Sequence, residues 1–108
     1  MSSVEQTMQA RRGGRSAAEA RYVQAARALA LREAEFFALD ATDAGAATKL
    51  ECLGEREKAA RALAEAERGV IGGLWADGTL AHETRIGEAV RAVLGVLREQ
   101  ALGAAAVA

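Results

Sequence analysis

The chain of 108 residues contains no proline, a single cysteine and only four aromatic residues. Nothing in it breaks a helix outright, and its 28 alanines favour helices, because alanine has the highest helix propensity and proline the lowest. One cysteine, Cys52, cannot form an internal disulfide and suits a reducing compartment. With so few aromatic side chains, the core must be built from alanine, leucine and valine, which bury less area each. These features predict an all-α protein with a thin core that a partner or a second copy helps to cover.

The charge and hydropathy of the chain exclude several further classes. The formal net charge is −1, so no electrostatic attraction draws the protein to nucleic acid or to an acidic membrane. No run of 18 apolar residues is long enough to span a bilayer, and the N-terminus lacks the apolar core of a signal peptide. Arg11, Arg12 and Arg15 form a local basic cluster, which we interpret as part of a soluble arm. We therefore expect a cytoplasmic protein.

Helical periodicity divides the chain into a flexible N-terminal arm over residues 1–15, a helical bundle domain over 16–103 and a frayed tail over 104–108. The predicted helices span residues 16–40, 43–75 and 80–102. Ser16 and Glu19 have the spacing of a capping box, in which each side chain accepts a hydrogen bond from the backbone N–H of the other. The expected architecture is an antiparallel three-helix bundle, that is, a helical hairpin with a third helix packed on it.

The second helix has a heptad pattern, with successive positions three and four residues apart. The predicted seam consists of Leu50, Leu53, Glu57, Ala60, Ala64, Glu67, Ile71 and Leu74. Two glutamates interrupt this seam. Either they lie on its solvent-exposed edge, or the true apolar stripe is rotated towards Leu63 and Val70.

A glycine-rich stretch, GVIGGLWADGTL over residues 69–80, predicts a corner at the end of the second helix. Asp77 and Gly78 form a turn dipeptide at which the chain can reverse. Gly69 and Gly73, four residues apart, would let another helix approach closely. Trp75 would pack over the end of the bundle or anchor a partner. The sequence leaves open whether the glycine segment is bent, acting as a hinge, or a continuous helix.

The chain offers little that could support catalysis. His82 has no second metal ligand at helical spacing, and neither it nor Cys52 lies in a recognisable catalytic motif. The glycine-rich stretch lacks the Gly-Lys-Ser or Gly-Lys-Thr of a phosphate-binding loop. We therefore predict no enzyme activity, no cofactor and no metal, and expect the protein to act by binding through its helical faces.

The third predicted helix is the best candidate for a binding surface, because its apolar positions cover more than half of its circumference. A helix with more apolar surface than its own fold can cover will dock on another helix. The alternative is that this helix lies at the centre of the bundle and is buried on two sides. The candidate partner-binding residues are Ile86, Val90, Val93, Leu94, Leu97 and Trp75.

The run LREAEFFALDATDAGAATKLECLGEREKAARALAEAE, within residues 29–67, resembles the helical hairpin of the FlgN-type flagellar export chaperones. The matching positions are Glu33, Leu39, Asp43, Gly45, Leu50, Leu53, Glu57, Lys58 and Leu63. The resemblance implies a small α-helical chaperone of the cytoplasm that holds the C-terminal helical segments of hook-associated proteins for export. It also implies that this cargo contacts the last helix.

Two alternatives remain open at the level of sequence. The protein could be a self-associating helical scaffold or assembly component, in which the second helix forms a coiled-coil seam between the subunits of a homodimer. It could also be an amphipathic coat on hydrophobic particles. The sequence identifies neither the partner nor the oligomeric state, and it assigns no role to the arginine-bearing arm.

Overall fold

Three helices make up the fold in the computed structural model, which describes the backbone of residues 3–107 and the side chains of residues 15–103. The helices are α1 (Ser3–Asp40), α2 (Ala46–Ala76) and α3 (Ile86–Val107). The described residues contain no strand, and α1 packs against both α2 and α3. The prediction of an all-α bundle built from a hairpin and a third helix is confirmed.

The first helix begins earlier than the sequence indicated, at Ser3 rather than at Ser16. Ser16 therefore lies inside α1, and the predicted capping box is wrong. The pair Gly13 and Gly14 costs up to about 1 kcal/mol per residue relative to alanine, which is too little to end a helix whose next turn is held by tertiary contacts. Residues 1 and 2 of the predicted arm lie outside the described residues.

The third helix begins later than predicted, at Ile86 rather than near residue 80, and it continues past Gly103 to Val107. Leu80 explains the late start. It is 1% exposed and packs in the core. The segment between α2 and α3 therefore forms turns that bring Leu80 into the core, and it does not extend α3. The last residue of the predicted tail, Ala108, lies outside the described residues. The frayed tail was predicted to begin at residue 104, but α3 includes residues 104–107.

Packing makes α1 the central helix. It contacts α2 most extensively and α3 on another flank, whereas α2 and α3 barely touch. The alternative in which the third helix is central is therefore wrong. The fully buried residues form one cluster that draws on all three helices and the α2–α3 connection: Tyr22, Ala26, Val70, Leu74, Leu80, Leu97 and Ala101.

The α2 seam lies one residue before most of the predicted positions; among the predicted ones, Leu53, Glu67 and Ile71 are half-buried and Leu74 is fully buried. Its positions are half-buried or buried and follow the same heptad spacing: Cys52, Arg56, Ala59, Leu63, Ala66, Val70 and Gly73. By contrast, four predicted seam positions are exposed, namely Leu50, Glu57, Ala60 and Ala64. A shift of one residue rotates the buried face by about 100°. Of the two alternatives left open by the glutamates, the rotated stripe is correct.

The glycine segment of α2 is continuous helix, which ends at Ala76. A Cβ atom at Gly73 would lie 3.6 Å from the Cα of Arg15, and one at Gly69 would lie 3.9 Å from the Cβ of Ala18. These two glycines thus lie where α1 and α2 approach each other closely, as their spacing predicted. The predicted corner follows at Gly78, whose φ of 83° favours glycine.

Candidate docking groove between the first and third helices

A polar network fixes the corner from which α3 departs. The Arg15 guanidinium donates from Nε to Glu19 Oε1 at 2.7 Å and from Nη1 to Asp77 Oδ2 at 2.9 Å. The backbone N–H of Thr79 donates to Asp77 Oδ1 at 2.9 Å, and the Thr79 hydroxyl donates to the same oxygen. This network joins α1 to the turn after α2, and so it sets where the chain enters α3.

The electrostatics of the corner favour the ionised carboxylate of Asp77. Burial alone would raise the pKa of Asp77, but the hydrogen bonds from Thr79 and Arg15 outweigh it and hold the pKa below its usual value. The hydrogen bond to Glu19 is the main cause that raises the pKa of Arg15. The corner is therefore a structural ion-pair network whose donors and acceptors satisfy one another.

From this corner α3 runs parallel to α1. Residues 92–97 of α3 lie beside Arg15 and Glu19 of α1, and Arg98 and Leu102 lie beside residues 26–33. The outer side of this seam forms two adjoining depressions of about 330 and 390 Å³, which share Glu19, Leu97 and Gln100. We call this surface the α1–α3 groove.

The α1–α3 groove has an apolar floor and a polar rim. Its larger apolar side chains are Val23, Val93, Val96 and Leu97. Its polar and charged side chains are Arg15, Ser16, Glu19, Gln24, Arg27 and Gln100. Val96 is 56% exposed, whereas Leu97 is 5% exposed and belongs to the core cluster. This combination suits an amphipathic helix laid along the seam.

Another groove, of about 600 Å³, lies between α1 and α2. Its apolar lining consists only of small residues: Ala18, Ala25, Ala62, Ala66 and Gly69. Such residues offer a partner little apolar area to bury. The α1–α3 groove is therefore the better candidate for a docking site.

The structure divides the predicted partner-binding residues between the core and the surface. Val90, Val93 and Leu94 pack partly buried against the core cluster, and Leu97 belongs to it. Ile86 is 38% exposed at the first residue of α3. The groove thus contains Val93 and Leu97 of the predicted set.

Trp75 is 51% exposed at the end of α2, so its ring does not seal the end of the bundle. The sequence reasoning missed Val96 and every α1 residue of the groove, among them Val23 and Arg27. Val96 belongs to the apolar positions of α3 and could have been found from them. The α1 residues could not, because their role depends on which face of α1 receives α3.

Two buried polar atoms have no hydrogen-bond partner among the described residues, namely the Tyr22 hydroxyl oxygen and Arg27 Nε. Tyr22 is fully enclosed in the core cluster. Arg27 differs from it, because the residue is only partly buried and lines the α1–α3 groove. A molecule bound in the groove could reach this arginine.

The side chains that could act as a nucleophile, a base or a metal ligand do not lie together in one site. Cys52, a partly buried free thiol, lies near the start of α2, about 36 Å along the helix axis from its last residue, Ala76, and His82 lies beyond that end. Within residues 15–103, no three or more His, Cys, Asp or Glu side chains form a group that could hold a metal ion. No described helix is both long enough and apolar enough to cross a membrane.

Comparisons of the chain with protein-family models, with curated proteins and with solved structures found no match. The resemblance to the FlgN-type chaperones therefore rests on the hairpin residues quoted above. The functional argument rests on the groove itself.

Proposed function

We propose that the protein is a non-catalytic helical binding protein that holds an amphipathic helix of another protein in the α1–α3 groove. The observation that carries this proposal is the exposure of Val96, at 56%, beside Val93 along an open seam of the bundle. A helix with apolar residues at i, i+3 or i+4 and i+7 could place them along such a seam. Its binding would remove this apolar surface from water.

We propose further that the partner is an export substrate of the hook-associated type, bound by its C-terminal helical segment in the cytoplasm. The support for this finer assignment is the resemblance of residues 29–67 to the FlgN-type hairpin, together with the position of the groove on the last helix. An export substrate must stay monomeric until it is secreted. A groove that covers its assembling helix would prevent premature self-assembly by physical means, without a chemical step.

The substitution Val96→Glu tests this proposal. A carboxylate at the centre of the groove would meet the apolar face of the bound helix, and leaving it there unpaired costs free energy. We expect the affinity for the C-terminal helical segment of a hook-associated protein, measured by calorimetric titration, to fall at least about tenfold. Helicity should be unchanged, because Val96 is largely exposed.

Leu50→Glu is the matched control, because Leu50 is 67% exposed and lies near the start of α2, far from the groove. It should leave the affinity unchanged. Equal binding of the wild type and the Val96→Glu variant would contradict the proposed groove. Absence of binding by the wild type would contradict the choice of partner.

A second candidate function is self-association. The α2 seam is already covered by α1, so a homodimer would have to use other apolar side chains, of which Phe37 and Leu50 are 64% and 67% exposed near the hairpin loop. Light scattering separates the two functions. A stable dimer that is unaffected by added cargo favours the scaffold, and a monomer that forms a 1:1 complex favours the binding protein.

A further inference from the structure

We infer that the helix bound in the α1–α3 groove carries a carboxylate that pairs with Arg27. This inference rests on the proposed function and adds to it the charge of the partner. It follows from Arg27, the one arginine lining the groove that forms no ion pair among the described residues, whereas Arg15 pairs with Glu19 and Asp77.

The arginines of this region differ in how they are satisfied. Arg15, at the corner end of the groove, donates to Glu19, Asp77 and Thr79. Arg27 lies three turns further along α1, lines the same groove, and its Nε meets no acceptor. The corner end of the groove is thus internally neutralised, whereas the other end presents a cation.

None of the uncharged rim side chains, Ser16, Gln24 and Gln100, hydrogen-bonds to Arg27 among the described residues, and Glu19 is engaged by Arg15. A carboxylate of the bound helix would supply the counter-charge that the groove itself does not give Arg27. Because the planar guanidinium matches a carboxylate and the hydrogen bond is charge-assisted, this pair is stronger than a neutral one.

The placement of Arg27 also specifies where the carboxylate lies in the partner. Val23 is one turn before Arg27 on α1, about 6 Å away along the helix axis. A helix whose apolar residue rests on the Val23 and Val93 part of the floor would therefore need its Asp or Glu one turn away, at i+3 or i+4. The recognised feature is an amphipathic helix with an acidic residue adjoining its apolar stripe.

Two synthetic peptides test this inference. Both are capped, alanine-rich helices of about 18 residues with leucines at i, i+4 and i+7, long enough to be partly helical alone. One carries glutamate beside the leucine stripe and the other carries glutamine at that position. Fluorescence anisotropy should show that the wild-type protein binds the glutamate peptide about tenfold more tightly, as expected for a charged hydrogen bond.

The variants of the protein locate the effect. Arg27→Gln should abolish the preference for glutamate, and Arg27→Lys, which keeps the charge without the planar fork, should retain part of it. Arg21→Gln is the matched control, since Arg21 is an exposed arginine on the same helix that lines the α1–α2 groove instead. This control should keep the full preference. Circular dichroism verifies that each variant is folded.

The outcomes separate this inference from the proposed function. If both peptides bind equally well to the wild type, or if Arg27→Gln leaves the preference intact, the inference is overturned while the groove remains. If neither peptide binds to the folded wild type, the groove does not accept an amphipathic helix. That result contradicts the proposed function and the inference together.

Discussion

At the scale of single residues, the corner between α2 and α3 depends on Asp77. Its carboxylate accepts hydrogen bonds from Arg15 on α1 and from Thr79 two residues along the chain. The sequence identified Asp77 and Gly78 as a turn, because that signal is local. It did not identify Arg15, since the pairing spans 62 residues and exists only once α1 lies against the end of α2.

The corner should make the stability of the protein depend on pH. The folded-state pKa of Asp77 is depressed, so its stabilising contribution is present above the unfolded pKa and is lost as the pH falls through the folded pKa. We expect Asp77→Asn to lower the free energy of unfolding by about 1–3 kcal/mol at pH 7, measured by urea denaturation. The difference from the wild type should shrink on acidification to pH values well below the normal pKa of an aspartate.

Asp40→Asn is the control for that measurement, because Asp40 is mostly exposed and its distance to Lys49 is 3.9 Å. Such a surface pair contributes little. If Asp77→Asn destabilises the protein no more than Asp40→Asn does, the corner network is not the clamp that its geometry indicates.

At the scale of the element, α2 shows what periodicity can determine and what it cannot. The heptad spacing of α2 was readable from the sequence, but its phase was wrong by one residue as far as residue 64, whereas the predicted Leu74 is buried. Alanine occupies many positions on all sides of this helix, so the apolar pattern discriminates poorly between neighbouring phases. Glu57, which is exposed, was the useful signal, because a glutamate is seldom buried unless it is paired.

The phase of α2 can be tested with two leucines. Leu63 packs against the core cluster, whereas Leu50 is 67% exposed. Leu63→Ala should lower the free energy of unfolding by about 2–3 kcal/mol, near the lower end for buried leucines because Leu63 is only partly buried. Leu50→Ala should change it by less than about 0.5 kcal/mol. The reverse order in denaturant unfolding would restore the seam predicted from the sequence.

At the scale of the whole molecule, α1 holds the other two helices, and the molecule is elongated, with extents of 64 × 30 × 25 Å. The number and order of the helices followed from the sequence, and so did the hairpin. The identity of the central helix did not, because α1 and α3 both have wide apolar faces and the choice depends on tertiary packing. The helix ends were also misplaced, since Gly13 and Gly103 lie within continuous helices.

This arrangement predicts that the helices differ in local stability. Because α3 is held almost entirely by α1, it can separate while the α1–α2 hairpin persists. Native-state hydrogen exchange should give the amides around Leu97 an opening free energy at least about 1 kcal/mol below that of the amides around Val70. Equal values would mean that the three helices open as one cooperative unit.

The position of Trp75 has a practical consequence for such measurements. Its indole is half in water in the native protein, so its emission wavelength should shift little when the chain unfolds. Tyr22 is the opposite case, because its phenol ring is fully enclosed and becomes hydrated only when the core cluster opens. Ultraviolet difference absorption of this single tyrosine is therefore the better optical reporter of loss of the native core.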